Sequence, residues 1–215
     1  MSEPLVSVVL VTSGRRDMVA RALECFERQS YATRELVIVD DPQNPSFDRP
    51  TGQRYGRWPG SLGARRNVGM GWARGDLVAH WDSDDWYGPG YLARMVELIE
   101  SRHAMVAGLR VVPFVDLRTG EWHLYRGPDW FACGATLVYR RRWAMARPFP
   151  RVDTGEDAAL CWTAWTERVL VTAEADWTFI ATIHDSNTSP RAVGGPNWSK
   201  LDSREIPKWA RKLFA

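Results

Sequence analysis

Leu5–Val11 reads Leu-Val-Ser-Val-Val-Leu-Val, an almost unbroken aliphatic run. A strand covered on both faces has this pattern, as in a parallel sheet with helices above and below. Across Asp17–Gln29 the apolar positions Val19, Leu23 and Phe26 share one face of a predicted helix. Glu35–Val39 is a second buried strand, stopping at Asp40-Asp41. Strand, helix and strand in this order make a βαβ unit. Residues 42–60, rich in Pro, Gly and Arg, read as a loop. Leu62–Arg74 has helical content but carries Gly63, Gly69 and Gly71. Each costs about 1 kcal/mol relative to Ala in a helix, so their presence points to close backbone packing or a nearby ligand. Leu77–Trp81 is a third strand, followed by Asp82-Ser83-Asp84-Asp85. Pro89 then opens a helix with Leu92, Met95, Val96 and Ile99 at helical spacing.

After residue 103 the pattern becomes mixed. Strands are predicted at 104–115, 121–125, 135–139, 168–172 and 178–183, and a helix from Glu156 to about Glu167. Lys200–Phe214 has the spacing of a closing amphipathic helix. The expectation is one α/β domain over 1–215. About 1–103 would form one half and about 104–190 the other, with 191–215 as a C-terminal extension.

Composition narrows the class. The 215 residues are 45% hydrophobic and 25% charged, which excludes disordered and collagen-like chains. A net charge of +2 gives no field that would by itself call for nucleic acid or an anionic membrane. No apolar run approaches the roughly 18 residues that span a bilayer. The N-terminus lacks a basic region followed by an apolar stretch and a cleavage site. Cys25, Cys133 and Cys161 are odd in number and widely spaced, which disfavours a disulfide framework or a cysteine zinc site. A cytoplasmic protein is therefore expected. Tryptophan is the outlier: of 12, most are expected in the core, and the excess is a candidate sugar-stacking surface.

In open α/β sheets ligands bind at the carboxyl ends of strands. Three polar clusters sit at three such ends: Thr12-Ser13-Gly14-Arg15-Arg16, Asp40-Asp41 and Asp82-Ser83-Asp84-Asp85. A single Asp there is an ordinary turn residue. Acids converging from separate strands repel one another unless a cation or hydrogen-bond donors lie between them. Gly155-Glu156-Asp157 opens a predicted helix, where acids also serve as capping residues.

These elements, in order, resemble the family 2 glycosyltransferases of the GT-A fold. The resemblance is carried by Val6-Ser-Val-Val-Leu-Val-Thr-Ser, Val37-Ile-Val-Asp-Asp41, Ala64-Arg-Arg-Asn-Val-Gly69, Gly75-Asp-Leu-Val-Ala-His-Trp-Asp-Ser-Asp-Asp85, Gly155-Glu-Asp157 and His184-Asp-Ser-Asn-Thr188. It covers roughly residues 5–190, and its weight lies in the ordered set, since an Asp-x-Asp alone is common. The chain departs from the family at Val11, where many members have Pro, and at Ser13-Gly14, where an aromatic–Asn pair is common. The nucleobase stays open.

The resemblance implies a nucleotide-sugar donor, UDP- or GDP-linked, whose diphosphate is neutralised by Mn²⁺ or Mg²⁺. Asp82 and Asp84 match the family's metal-binding pair, with Asp85 able to share the task, and His184 matches an added imidazole ligand. A mixed carboxylate–imidazole set suits Mn²⁺ better than Mg²⁺. Thr12, Arg15, Asp40, Asp41, Arg65, Asn67, Asp82 and Ser83 fall on the donor side. Asp157 matches the general base that takes the acceptor hydroxyl's proton, with Glu156 beside it in an orienting or acceptor-binding role. Direct attack by that hydroxyl implies inversion at the anomeric carbon. The acceptor is open among a glycan, a small molecule, a protein and a modified nucleic-acid base.

Three other readings compete. A sugar-nucleotide nucleotidylyltransferase needs a Gly- and Arg-rich loop followed by Lys after the first strand, and Ser13–Arg16 is a poor version of it. A glycosidase would not need acids at every strand end. A non-catalytic nucleotide-sugar-binding module would not need the Glu-Asp element. Gly69–Gly75 is not a dinucleotide fingerprint and no Walker A sequence occurs. Arg140-Arg141-Arg142 reads as a solvated strand end, and Cys133 as a packed thiol.

Overall fold

The structure, a computed structural model, describes residues 3–48, 54–189 and 193–214. The first half contains β1 (Val6–Thr12), α1 (Arg16–Glu27), β2 (Arg34–Asp40), β3 (Arg54–Arg57), α2 (Leu62–Trp72), β4 (Leu77–Asp82), β5 (Trp86–Tyr87) and α3 (Tyr91–Ser101). The second half contains β6 (Val106–Asp116), β7 (Trp122–Arg126), β8 (Val138–Arg140), α4 (Arg141–Met145), α5 (Glu156–Thr166), β9 (Leu170–Glu174), β10 (Phe179–Ile183), β11 (Trp198–Lys200) and α6 (Lys208–Leu213). The main sheet runs β11-β7-β6-β8-β4-β1-β2-β3. Strands β4, β1, β2 and β3 are parallel, whereas β8 is antiparallel to both β4 and β6. The result is the mixed α/β sheet expected.

All seven residues of β1 are buried, as its unbroken apolar run requires. Alternation decides what each one meets. Val6, Val8 and Leu10 pack with Val19 and Phe26 of α1 and Leu92 and Met95 of α3. Val9 and Val11 point to the other face, with Met70 of α2 and Leu160 and Ala164 of α5. The register then sets the strand ends nearly flush. Thr12 pairs with Asp40 on β2, and Val11 with Asp82 on β4. Neighbouring strands lie about 4.8 Å apart, so the three polar clusters become one rim.

The α2 glycines have a packing cause. A Cβ on Gly69 would fall 2.4 Å from Val9 Cγ1, and one on Gly63 only 1.9 Å from the Pro150 carbonyl oxygen. Two of the three thus let α2 press against β1 and the segment ahead of α5.

Four expectations need correction. The predicted loop 42–60 contains β3, which pairs in parallel with β2 through Ile38 and Tyr55. Its Arg-Tyr-Gly-Arg sequence is that of a short, half-exposed edge strand with no apolar run to reveal it. The closing helix covers only Lys208–Leu213, because Pro207 starts it and the residues just before it form turns. Of the predicted strand 135–139, the first part is a single 3₁₀ turn at Gly134–Thr136. Arg140 and Arg141 are not a solvated strand end. Their Nε–H groups donate to the Ala104 and Met70 carbonyls at 2.9 and 3.0 Å, joining β8 and α4 to the body of the domain. The three cysteines are free and buried.

The surroundings of Gly63 and Gly71 predict opposite effects within one helix. Gly71 is exposed and a Cβ there would meet nothing within 4 Å, so Gly71→Ala should stabilise by about 0.5–1 kcal/mol. Gly63→Ala should destabilise by about 1–3 kcal/mol, because the methyl must displace backbone. Urea midpoints of the two variants check the signs, and equal shifts would remove the packing explanation.

Candidate active site

A cleft of about 280 Å³ opens at the carboxyl end of β4. One wall carries Asp82, Ser83, Asp84 and Asp85, and the other Gly155, Glu156 and Asp157 at the start of α5. A larger hollow of about 810 Å³ lies at the amino ends of β2 and β3, away from every acid singled out in the sequence.

Asp82, Asp84 and Asp85 each offer an oxygen, and these atoms lie within 4.8 Å of one another. Their surroundings separate them. Burial raises the Asp82 carboxyl above its ordinary range, with the Arg66 charge opposing and Asp84 adding to the rise. Burial also pushes Asp84 upward, but the His184 hydrogen bond and the Arg15 charge outweigh it and hold that carboxyl low. Arg15 Nη1 donates to Asp84 Oδ2 at 2.8 Å, and its Nη2 reaches the Ser186 carbonyl at 2.6 Å. Asp85 Oδ1 accepts the Thr182 N–H at 2.8 Å, tying the acidic turn to β10.

His184 lies against this turn without joining the three-acid group. Its Nδ1 accepts the Ser186 backbone N–H at 3.2 Å, which assigns the ring proton to Nε2. Nε2 then donates to Asp84 Oδ2 at 3.0 Å. In this arrangement the imidazole orients Asp84 and keeps its Nε2 at the edge of the acidic turn.

Arg66 joins the two walls. Its Nε–H donates to Glu156 Oε1 at 3.1 Å and its Nη2 to Asp82 Oδ1 at 3.4 Å. The Arg66 and Glu156 side chains are each 3% exposed. Burial alone disfavours the guanidinium charge, yet Asp82, Glu156 and Asp157 outweigh that and keep it firmly protonated. Burial raises Glu156 despite the neighbouring cation. The Asp157 carboxylate rests against the backbone of Gly134, where a Cβ would fall 2.1 Å from Asp157 Oδ2. Gly134 is held in turn by His80, whose Nδ1–H donates to its carbonyl at 2.8 Å. Burial and the nearby Arg66 charge keep this imidazole neutral.

The cleft thus brings together Arg15, Asp82, Ser83, Asp84, Glu156 and Asp157. Other residues expected on the donor side have internal partners. Asp40 is fully buried and accepts from the Asp41, Ser46 and Phe47 N–H groups and from Tyr55 Oη, so it scaffolds the following loop. Asn67 exchanges two 2.9 Å hydrogen bonds with the Phe149 backbone, fastening α2 to the segment before α5. The Thr12 hydroxyl pairs with Ser46 Oγ at 2.8 Å. Asp41 and Arg65 lie 3.5 Å apart on the outer rim, and Arg65 donates to the Thr12 carbonyl at 3.2 Å. Arg66 lies within the expected donor-side arginine–asparagine element without being singled out there, although helical periodicity sets it apart from Arg65. Gly63, Arg66, Gly69 and Met70 form the buried stripe of α2, and an arginine in such a stripe needs buried acids.

Removing Arg66 would leave Glu156 buried without its cation. Arg66→Met should cost about 3–5 kcal/mol near pH 8. The pH dependence has a definite sign. A raised Glu156 means that the folded state keeps its proton longer, so its contribution to stability falls as pH rises above the ordinary glutamate range. Losing Arg66 raises Glu156 further, so the deficit should shrink as pH falls toward 5 and protonation of Glu156 removes the unpaired charge. Adding Glu156→Gln should recover part of the loss at pH 8. Denaturation at both pH values checks this, and a pH-independent deficit would contradict the buried-charge account.

Among the described residues no helix is long and apolar enough to cross a membrane. The chain is 28% identical over 118 residues to the Bacillus subtilis protein named uncharacterized glycosyltransferase YwdF, covering 51% of this chain and 43% of that one. It is 35% identical over 115 residues to the succinoglycan biosynthesis protein ExoO of Rhizobium meliloti, covering 48% and 32%. The chain spans less than half the length of these curated relatives. In fold it is similar to S. aureus TarS 1–349 in complex with UDP-GlcNAc, with a TM-score of 0.68 at 18% identity over 88% of this chain and 62% of that one. It is also similar to the mannosyltransferase PcManGT from Pyrobaculum calidifontis in complex with GDP-Man and Mn²⁺, with a TM-score of 0.64 at 15% identity over 85% and 57%. These likenesses show the GT-A fold. Residues 7–146 match the family described as glycosyl transferase family 2, and the chain belongs to that family.

Proposed function

We propose that this protein transfers a sugar from a UDP- or GDP-linked donor to an acceptor hydroxyl, with inversion and with a divalent cation. The observation that carries the reading is the pairing of two acid sets across one cleft, Asp82, Asp84 and Asp85 facing Glu156 and Asp157. The neighbours in complex with UDP-GlcNAc and with GDP-Man and Mn²⁺ support a nucleotide-sugar donor and a cation.

The residues present fit a hard cation: three carboxylates offer oxygens within 4.8 Å of one another. Asp84 and Asp82 would hold it, with Asp85 adjacent and the His184 imidazole within reach through Asp84. When bound, it supplies positive charge to the leaving diphosphate. Arg15 and Arg66 are the chain's own cations at the same rim, and a guanidinium suits phosphate oxygens. Asp41 and Arg65, at the outer rim, are assigned to the nucleoside end. Ser83 Oγ is buried with no hydrogen-bond partner among the described residues, consistent with a donor-facing role.

Asp157 is assigned as base. As the acceptor oxygen attacks the anomeric carbon, its proton passes to the Asp157 carboxylate and the sugar–phosphate bond breaks. Glu156, bound to Arg66, is a positioning residue.

UDP or GDP should bind about tenfold or more tightly with Mn²⁺ than with EDTA, and Asp84→Ala should remove that difference. Calorimetry showing equal affinities for the unsubstituted protein would sink the metal role. Pyrophosphate release from a nucleoside triphosphate and a sugar phosphate would instead indicate nucleotidylyl transfer.

Asp157→Asn should leave nucleotide affinity and melting temperature nearly unchanged while lowering kcat by about 10²–10⁴-fold. Asp157 is in the first turn of α5, not at its cap, and Asn keeps its shape there, so a purely structural Asp157 would leave kcat nearly unchanged in that variant. A larger kcat loss in Glu156→Gln than in Asp157→Asn would transfer the base assignment to Glu156.

A further inference from the structure

The cleft wall formed by α5 continues outward as aromatic surface. Ala158 lines the cleft, and Trp162 and Trp165 follow at i+4 and i+7, on one stripe of the helix. Both indoles are exposed, Trp162 at 53% and Trp165 at 44%. Trp130 meets Trp162 edge to face at 5.6 Å between ring centroids and meets Phe131 at 5.7 Å. Phe131 itself lines the same cleft as Asp157. The buried stripe of α5 is already complete with Glu156, Leu160, Cys161 and Ala164, so packing does not account for the outer tryptophans.

Single exposed apolar residues are ordinary. A contiguous aromatic patch running out of a binding cleft is not, and such patches mark ligand or partner surfaces. We propose that Phe131, Trp130 and Trp162 form an acceptor platform, and that the acceptor is an oligosaccharide. The inference rests on the transferase reading above, since it makes the patch the acceptor side of that cleft.

Continuity with the cleft supports this occupant. The patch starts at Phe131 and Ala158, which line the same cleft as Asp157, the residue assigned to the acceptor hydroxyl. A sugar ring offers apolar C–H faces and polar edges, which matches flat indoles bordered by water. Trp162 follows Asp157 by five residues, about 7.5 Å of rise and about 140° of turn, so one sugar ring at Asp157 would not reach it and the path between them runs over Phe131 and Trp130. The ring receiving the new sugar would sit at Asp157 and its neighbours in the acceptor on Phe131, Trp130 and Trp162.

The test uses the full chain without nucleotide, so that its outcome does not depend on the donor site. Tetrasaccharides of glucose, N-acetylglucosamine and mannose, in several linkages, are compared with the corresponding monosaccharides by calorimetry and saturation-transfer NMR. At least one tetrasaccharide should bind more tightly than its monosaccharide. Trp162→Ala should weaken that binding about tenfold, and Trp162→Tyr should retain most of it. Melting temperatures of both variants should match the parent, since Trp162 is more than half exposed.

Tetrasaccharides that bind no better than monosaccharides, or equal binding by Trp162→Ala, would overturn the proposal. So would a dimer in sedimentation that Trp162→Ala dissociates, because the patch would then be a contact between copies. Failure of the transferase reading is seen separately, as loss of UDP and GDP binding by the unsubstituted protein.

Discussion

The pairing of Arg66 with Glu156 and Asp82 is the constraint on which the site depends. A guanidinium 3% exposed cannot be left without acids, and a glutamate 3% exposed cannot be left ionised without a cation. Neither group can relax into water, so α2, α5 and the end of β4 are held at one separation. Hydrophobic contacts alone would tolerate small slides between these elements. Hydrogen bonds of 3.1 and 3.4 Å from one planar group do not.

Several less conspicuous features serve the same geometry. The missing side chains at Gly63 and Gly69 let α2 come close enough for Arg66 to reach both acids. Gly134 provides the gap into which Asp157 fits, and His80 holds the Gly134 carbonyl from beneath. Asn67 clamps the Phe149 backbone, which leads toward α5. Asp40 fastens the loop after β2 with four donors. Asp40 and Asn67, expected on the donor side, thus also brace the elements behind the cleft.

Electrostatically the cleft is graded. Asp84 is stabilised as an anion by His184 and Arg15, whereas Asp82 sits in a setting that resists ionisation. Two neighbouring carboxylates with opposed shifts fit a site meant to receive positive charge, since a cation would relieve the repulsion between them.

The largely apolar runs at Leu5–Val11, Glu35–Val39 and Leu77–Trp81 determined the parallel strands, because a strand buried on both faces admits few polar residues. The acids at the ends of those runs, and Glu156-Asp157 at a helix start, marked the rim. This much is local chemistry and needs no partner to be legible. The half-exposed edge strand β3 was not legible, since pairing with β2 rather than its own pattern makes it a strand. Nor could adjacency in sequence separate Arg65 from Arg66, or Asp40 from Asp41. Residues one apart on a helix or at a strand end point in different directions, and only packing decides which meets a buried acid, which meets backbone and which lies on the outer rim.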